Sequence, residues 1–157
     1  MLEIAVPGWR TLRLDYLVLD VNGTLTGDGE LLPGVAERID PLRSTLDVRM
    51  LSADTFGQLD AVAARLGVAG QRLVPGEPEA GQKARLVGRL GPSRVVAIGN
   101  GANDAAMLNE AALGIAVLGP EGLAVLALLE ADVLVGSITD ALDLLLRPTR
   151  LVATLRR

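Results

Sequence analysis

Residues 17–26 read Leu-Val-Leu-Asp-Val-Asn-Gly-Thr-Leu-Thr, an apolar run that ends in Asp20 and breaks at Gly23. Such a run predicts a buried β-strand with a carboxylate at its carboxyl end, followed by a turn. Ligands of open α/β sheets bind beyond the carboxyl ends of the strands. There a carboxylate can attack phosphorus, and the N–H groups of the Gly23-Thr24 turn can face phosphate oxygens. The alternative is an aspartate that only caps a turn, and this segment alone does not decide between them.

Two further apolar runs end in polar residues. Ser52 follows one of them just before a predicted helix, so its hydroxyl either donates to a phosphate or caps that helix. Residues 95–104 read VVAIGNGAND and predict a strand that ends in a Gly-Asn-Gly turn. There Asn100, Asn103 and Asp104 offer oxygen ligands suited to Mg²⁺, or serve as ordinary turn residues at a helix start.

The rest of the chain alternates short runs of Leu, Val and Ile with helical periodicity. This alternation predicts an α/β fold, a doubly wound and mainly parallel sheet with helices on both faces. We expect an N-terminal β-hairpin, no cap domain, and a single domain over residues 1–157. The predicted strands are Glu3–Val6, Thr11–Leu14, Tyr16–Val21, Asp47–Leu51, Gln71–Val74, Arg94–Ile98, Leu113–Val117 and Asp132–Val135. The predicted helices are Gly34–Arg43, Thr55–Leu66, Glu77–Leu90, Ala102–Ala111, Pro120–Glu130, Ile138–Leu146 and a short one after Pro148.

The composition excludes several kinds of chemistry. The chain has no cysteine and no histidine, which rules out thiol nucleophiles, imidazole bases and Cys- or His-ligated metals. A net charge of −4 and 2% aromatic residues argue against a nucleic-acid partner. The longest uncharged stretch, residues 111–120, is too short to cross a membrane, and no secretory signal is visible. We therefore expect no membrane partner and a cytoplasmic location.

Lys83 is the only lysine among 15 basic residues. A single compact ammonium is suited to neutralising a phosphorylated carboxylate, although a solvated helix position also accounts for it. Asn22, Asn100 and Asn103, three of the four asparagines, lie in the two loops that also carry the candidate aspartates.

Together these segments resemble the haloacid dehalogenase-like superfamily of aspartate-dependent phosphotransferases. Its motifs run strand-DxDGT, strand-Ser/Thr, a lone Lys and strand-GDGxND. This chain has DVNGT, MLSAD, Lys83 and GNGAND in the same order, within residues 14–135. The nearer likeness is to the phosphorylation domain of P-type ATPases, whose DKTGTLT segment compares with DVNGTLT. The resemblance implies a Mg²⁺-dependent phosphatase acting on a small phosphorylated substrate, or a degenerate member that binds phosphate or a partner protein and catalyses little.

The resemblance also implies a role for each matched residue. Asp20 is the nucleophile that forms an aspartyl-phosphate, Ser52 hydrogen-bonds the phosphoryl group, and Lys83 balances the charge. The implied catalytic residues are Asp20, Asn22, Ser52 and Lys83. The implied phosphate-binding residues are Gly23, Thr24, Ser52, Ala53, Lys83 and Asn103. The implied metal ligands are Asp20, Asn22, Asn100 and Asp104. At position 22 the family uses a backbone carbonyl, and Asp104 would hold the metal directly or through water.

Two departures from the family pattern change what we expect. Asn22 replaces the aspartate that protonates the leaving group, and an amide cannot do acid–base chemistry. Asn100 replaces a metal-binding aspartate, so we expect weaker Mg²⁺ binding. Turnover should therefore be slow and favour leaving groups that need no protonation. Because a capless site is open to water, we also expect a homo-oligomer in which one subunit covers the next.

Overall fold

The computed structural model describes all residues, 1–157. The ten strands are β1 (Leu2–Ala5), β2 (Thr11–Leu14), β3 (Tyr16–Asp20), β4 (Thr26–Gly27), β5 (Glu30–Leu31), β6 (Asp47–Ser52), β7 (Ala69–Arg72), β8 (Val95–Gly99), β9 (Leu113–Val117) and β10 (Val133–Val135). The seven α-helices are α1 (Val35–Leu42), α2 (Leu59–Leu66), α3 (Glu79–Leu90), α4 (Ala105–Glu110), α5 (Val125–Glu130), α6 (Ile138–Leu146) and α7 (Pro148–Leu155). No helix has both the length and the apolar character needed to cross a membrane.

Six strands form one parallel sheet in the order β10-β9-β8-β3-β6-β7. Side chains alternate between its two faces. Leu17 and Leu19 of β3 pack into a core with residues of α1, α2, α6 and α7, whereas Val18 of the same strand packs into a second core with residues of α3, α4 and α5. Both faces are therefore covered by helices, which explains why the central strands are uninterrupted apolar runs. The doubly wound α/β prediction is confirmed.

Two small antiparallel hairpins lie outside this sheet. Strands β1 and β2 form the predicted N-terminal hairpin. Strands β4 and β5 form a second hairpin, here called the flap, whose two-residue turn Asp28-Gly29 has positive φ at both positions. That backbone matches the twist of a tight hairpin and favours Gly and Asp. The flap is all that stands between β3 and α1, so there is no cap domain, as predicted.

Several predicted boundaries are wrong, most clearly that of α2. Helix α2 was expected from Thr55 but begins at Leu59. Asp54 and Gly57 both have positive φ, and the Asp54 carboxylate accepts a hydrogen bond from the Leu59 N–H at 2.8 Å. A left-handed residue cannot continue a right-handed helix, so residues 54–58 form a turn.

The remaining differences also arise at turns. Strand β7 lies at 69–72 rather than 71–74, because Gly67 ends α2 in a left-handed conformation and pairing to β6 begins directly after it. Helix α5 begins at Val125 rather than Pro120, because Gly119 and Gly122 pair across a tight loop. Helix α4 begins at Ala105, after a single 3₁₀ turn. The other predicted elements shift by at most three residues at an end.

Two glycine substitutions test this packing. Gly114 lies on β9, where an added Cβ would come within 2.4 Å of the Leu108 carbonyl oxygen, a backbone atom that cannot move easily. We expect Gly114→Ala to lower the free energy of unfolding by about 1–3 kcal/mol in urea denaturation. Gly81→Ala is the matched control, since Gly81 lies within α3 and its Cβ would meet only an arginine side chain at 3.6 Å. It should raise stability by about 0.5–1 kcal/mol, and equal effects at the two sites would contradict the packing.

Candidate active site

A cavity of about 220 Å³ opens at the carboxyl ends of β3, β6 and β8. Its walls contain Asp20, Asn22, Ala53, Thr55, Glu79, Lys83, Asn100, Gly101, Asn103 and Glu121. A larger hollow of about 520 Å³, lined by Asp40 and Asp47 among others, contains none of the predicted site residues. Six of the ten predicted site residues line the smaller cavity, and Gly23, Thr24, Ser52 and Asp104 do not.

The Lys83 ammonium lies between two carboxylates. Its Nζ is 2.7 Å from Oδ1 of Asp20 and 2.6 Å from Oδ1 of Asp104. The three residues are almost fully buried, with exposed fractions of 1%, 6% and 0% for Lys83, Asp20 and Asp104. The solvated-helix alternative for Lys83 is thus excluded, and residues 63 and 21 positions apart in sequence meet in one cluster.

This cluster holds one positive and two negative charges in a buried place. Burial and the nearby Asp104 carboxylate raise the pKa of Asp20 from 3.8 to about 6, against the opposing effects of Lys83 and Thr24. Burial opposes the charge on Lys83, but the two carboxylates outweigh it and hold the pKa of Lys83 above its usual value. Lys83 therefore stays charged, while ionised Asp20 is held at a cost in free energy.

Asp104 orients the cluster from behind. Its Oδ2 accepts hydrogen bonds from the backbone N–H groups of Asn100, at 3.0 Å, and Gly101, at 2.9 Å. A Cβ on Gly99 would lie 2.5 Å from the Asp104 carboxyl carbon, so this approach requires glycine. Asp104 is predicted to hold a metal directly or through water; it is fully buried and does not line the cavity, so the contact through water is the part that stays a prediction. Its carboxylate also contacts Lys83 and the loop after β8.

Gly23 and Thr24 do not offer the predicted phosphate-binding N–H groups. The Gly23 N–H donates to the carbonyl of Thr26 at 2.9 Å, and the Thr24 N–H donates to that of Val21 at 3.2 Å. The Thr24 hydroxyl is fully buried, with Oγ1 lying 3.0 Å from Oδ2 of Asp20 and 3.0 Å from Oδ1 of Asn100. Its single proton serves one acceptor at a time, so Thr24 links Asp20 to the loop after β8.

Other N–H groups lie where the phosphate was expected. Asn22 and Ala53 both lie on the cavity wall, and neither backbone N–H donates a hydrogen bond within the protein. Unpaired N–H groups on a cavity wall are free to donate to an anion.

Ser52 is buried at the end of β6, and its Oγ accepts a hydrogen bond from the Asp54 N–H at 2.8 Å, so it does not cap α2. Its own proton remains available as a donor.

Four residues on the wall were missed from the sequence: Thr55, Glu79, Gly101 and Glu121. Glu79 lies four residues before Lys83 on α3 and accepts a hydrogen bond from Nδ2 of Asn103. Thr55 and Glu121 lie in the loops after β6 and β9. Spacing of four on a helix and the position after a buried strand are signals that could have found Glu79 and Glu121.

The donors on the wall match the chemistry of a hard cation. The Asp20 carboxylate and the Asn22 and Asn100 amides are oxygen donors, the type that Mg²⁺ binds, often through one or two carboxylates and several waters. The chain has no cluster of three or more acidic residues of the kind that forms an all-protein cage. The oxygen donors therefore fit a divalent cation of the hard, oxygen-binding kind.

Residues 2–112 of this chain match the family of haloacid dehalogenase-like hydrolases. An uncharacterised protein of Methanocaldococcus jannaschii is 51% identical over 63 residues, which are 40% of this chain and 68% of that protein.

Solved structures of the same fold carry lower identity. One is 3-deoxy-D-manno-octulosonate 8-phosphate phosphatase from Moraxella catarrhalis, in complex with magnesium, phosphate and KDO. It has a TM-score of 0.67 at 19% identity, over 91% of this chain and 94% of that one. A phospho-aspartyl intermediate analogue of phosphoserine phosphatase has a TM-score of 0.65 at 14% identity, over 78% and 93%.

The charge of the cluster gives a stability test with two matched substitutions. In metal-free buffer at neutral pH, Asp20→Asn should raise the free energy of unfolding by roughly 2–3 kcal/mol, because it removes a carboxylate whose pKa lies above 3.8. This gain in stability over wild type should shrink as the pH falls through 6. It should vanish below pH 3.8, where Asp20 of the wild type is protonated in both the folded and the unfolded state. Asp104→Asn should instead destabilise by about 1–3 kcal/mol, since an amide nitrogen would face Lys83 or an N–H donor. Urea titrations between pH 4 and 8 check both signs, and a stabilising Asp104→Asn would contradict this account.

Proposed function

This chain belongs to the haloacid dehalogenase-like hydrolase family, and on that basis we propose that it is a phosphatase that passes the phosphoryl group of a small substrate to Asp20 and then to water. The observation that carries the proposal is the buried contact between Lys83 Nζ and Asp20 Oδ1, at 2.7 Å, on the wall of an open cavity. A fixed cation beside a carboxylate nucleophile is what phosphoryl transfer needs, since its catalysis is largely positioning and charge stabilisation.

In the first step, an Asp20 carboxylate oxygen attacks phosphorus and the bond from phosphorus to the leaving-group oxygen breaks. Lys83 stays charged and offsets the negative charge on Asp20 and the phosphoryl oxygens. Three donors near the cavity are available to the phosphoryl oxygens: the free N–H groups of Asn22 and Ala53 and the hydroxyl of Ser52. In the second step, water attacks the aspartyl-phosphate, and Asp20 is restored.

Divalent metal would be held by Asp20, Asn22 and Asn100, with Asp104 contributing its negative charge from behind Lys83. Bound there, Mg²⁺ supplies charge neutralisation for the phosphoryl oxygens. Two of these three wall residues are neutral amides, which supports modest affinity. The M. catarrhalis phosphatase of the same fold binds magnesium and phosphate, which supports a divalent metal here.

Asn22 sets the substrate preference. Its amide has no proton to give to a leaving group, so the first step relies on leaving groups that depart unaided. Acyl, anhydride and aryl phosphates meet this requirement, whereas alkyl phosphomonoesters such as sugar phosphates do not.

A second candidate is a family member that binds phosphate or a partner protein and catalyses little. It is favoured by the two amides at positions 22 and 100, which remove one acid and one metal-binding carboxylate from the family pattern. The intact Asp20–Lys83–Asp104 cluster argues against it.

Phosphoenzyme formation tests the proposal. Protein mixed with Mg²⁺ and acetyl phosphate should gain one phosphoryl group by intact mass, and hydroxylamine should remove it. Asp20→Asn should gain none, because its amide is not a nucleophile. No phosphoenzyme with acyl or aryl phosphate donors would favour the binding protein instead.

Restoring the acid tests the leaving-group argument. We expect Asn22→Asp to raise kcat/KM for an alkyl phosphate by about 10²–10⁴, the usual range for general acid catalysis, and to change p-nitrophenyl phosphate turnover far less. Equal gains on both substrates, or no gain on the alkyl ester, would refute the argument.

A further inference from the structure

Glu121 places a free carboxylate against the turn that carries Asn22. Its Oε2 lies 2.6 Å from where a Cβ on Gly23 would stand, so the side chain rests directly on that glycine. It shares the cavity wall with Asp20 and Asn22. Every other acidic side chain on the wall has a partner, since Asp20 meets Lys83 and Glu79 meets Asn103. Glu121 makes no hydrogen bond or ion pair with any residue.

The loop that carries Glu121 is held in place from both sides by Asn100. Nδ2 of Asn100 donates to the carbonyl of Gly122 at 3.1 Å, and the Ala124 N–H donates to the carbonyl of Asn100 at 2.9 Å. Gly119 packs on the same turn, because its Cβ would lie 2.1 Å from the Gly23 carbonyl oxygen. An aspartate at position 100 could not donate the first of these bonds, so the amide has a positioning role of its own.

We propose that Glu121 is the general base of the second step, and that Asn100 positions it. The inference rests on the proposed function. The Glu121 carboxylate takes a proton from water as the water oxygen forms its bond to phosphorus. The bond from phosphorus to the Asp20 oxygen breaks, and its electron pair returns to Asp20. Phosphate leaves, and Glu121 then releases the proton to solvent.

This role leaves the first step unchanged. A carboxylate accepts a proton from water but has none to give to a leaving group, so the preference set by Asn22 persists. Glu79 is the competing base, yet its carboxylate already accepts a hydrogen bond from Asn103 and it lies on α3, on the Lys83 side of the cavity.

The experiment separates formation of the phosphoenzyme from its decay. Wild type and Glu121→Gln are mixed with Mg²⁺ and acetyl phosphate, and then diluted into donor-free buffer while intact mass is followed. We expect formation within about twofold of wild type but decay slower by about 10²–10⁴, so that Glu121→Gln accumulates phosphoenzyme. Added formate should speed decay in Glu121→Ala, which a purely structural role would not produce. Glu37→Gln, on the exposed side of α1, is the matched control and should decay like wild type.

Two outcomes would overturn the inference. Decay of Glu121→Gln at the wild-type rate assigns the base elsewhere, and slow decay in Glu79→Gln alone assigns it to Glu79. Failure of the proposed function looks different, because then wild type itself forms no phosphoenzyme and both proposals fall together. For the positioning role, Asn100→Asp at saturating Mg²⁺ should slow decay without slowing formation, because the bond to the Gly122 carbonyl is lost while the metal site gains a carboxylate. Equal slowing of both steps would reject it.

Discussion

The structure depends most on one buried ammonium shared by two carboxylates. Lys83 is 1% exposed, and without it Asp20 and Asp104 would repel each other in a place that water barely reaches. Breaking a buried ion pair by removing one partner is strongly destabilising, because it leaves an uncompensated charge. The same arrangement that joins α3 to the end of β3 and the loop after β8 therefore also holds Asp20, the proposed nucleophile.

The sheet order explains why the cavity lies where it does. From β3 the chain crosses to β6 on one side and later to β8 on the other, so the connections diverge at β3. A crevice opens at such a point, beyond the carboxyl ends of the strands. Asp20 ends the strand at this divergence, and the loops after β6 and β8 form the adjacent walls.

The amide at position 100 shows how a departure from a family pattern can carry structure. Oδ1 of Asn100 meets the Thr24 hydroxyl, while Nδ2 donates to the Gly122 carbonyl. A carboxylate could accept from Thr24 but could not donate to Gly122. One side chain thus connects the turn after Asp20 to the loop after β9, at the cost of a negative charge that a metal ion would favour.

The sequence by itself determined the fold class and the residues at the strand ends, because apolar runs and turn residues can be recognised from neighbouring positions in the chain. The sequence also pointed to Asp20 and Lys83 as site residues. Asp20 ends a buried apolar run, which is a local signal, and Lys83 is the only lysine, which the composition shows. Only the tertiary structure placed Asp104 behind Lys83, turned the Gly23 and Thr24 N–H groups away from the cavity, and brought Glu79 and Glu121 onto its wall. Those outcomes depend on contacts between distant segments and on the backbone of the turns at 54–58 and 118–122. Local sequence patterns do not specify such contacts, since packing fixes them only when the whole sheet is assembled.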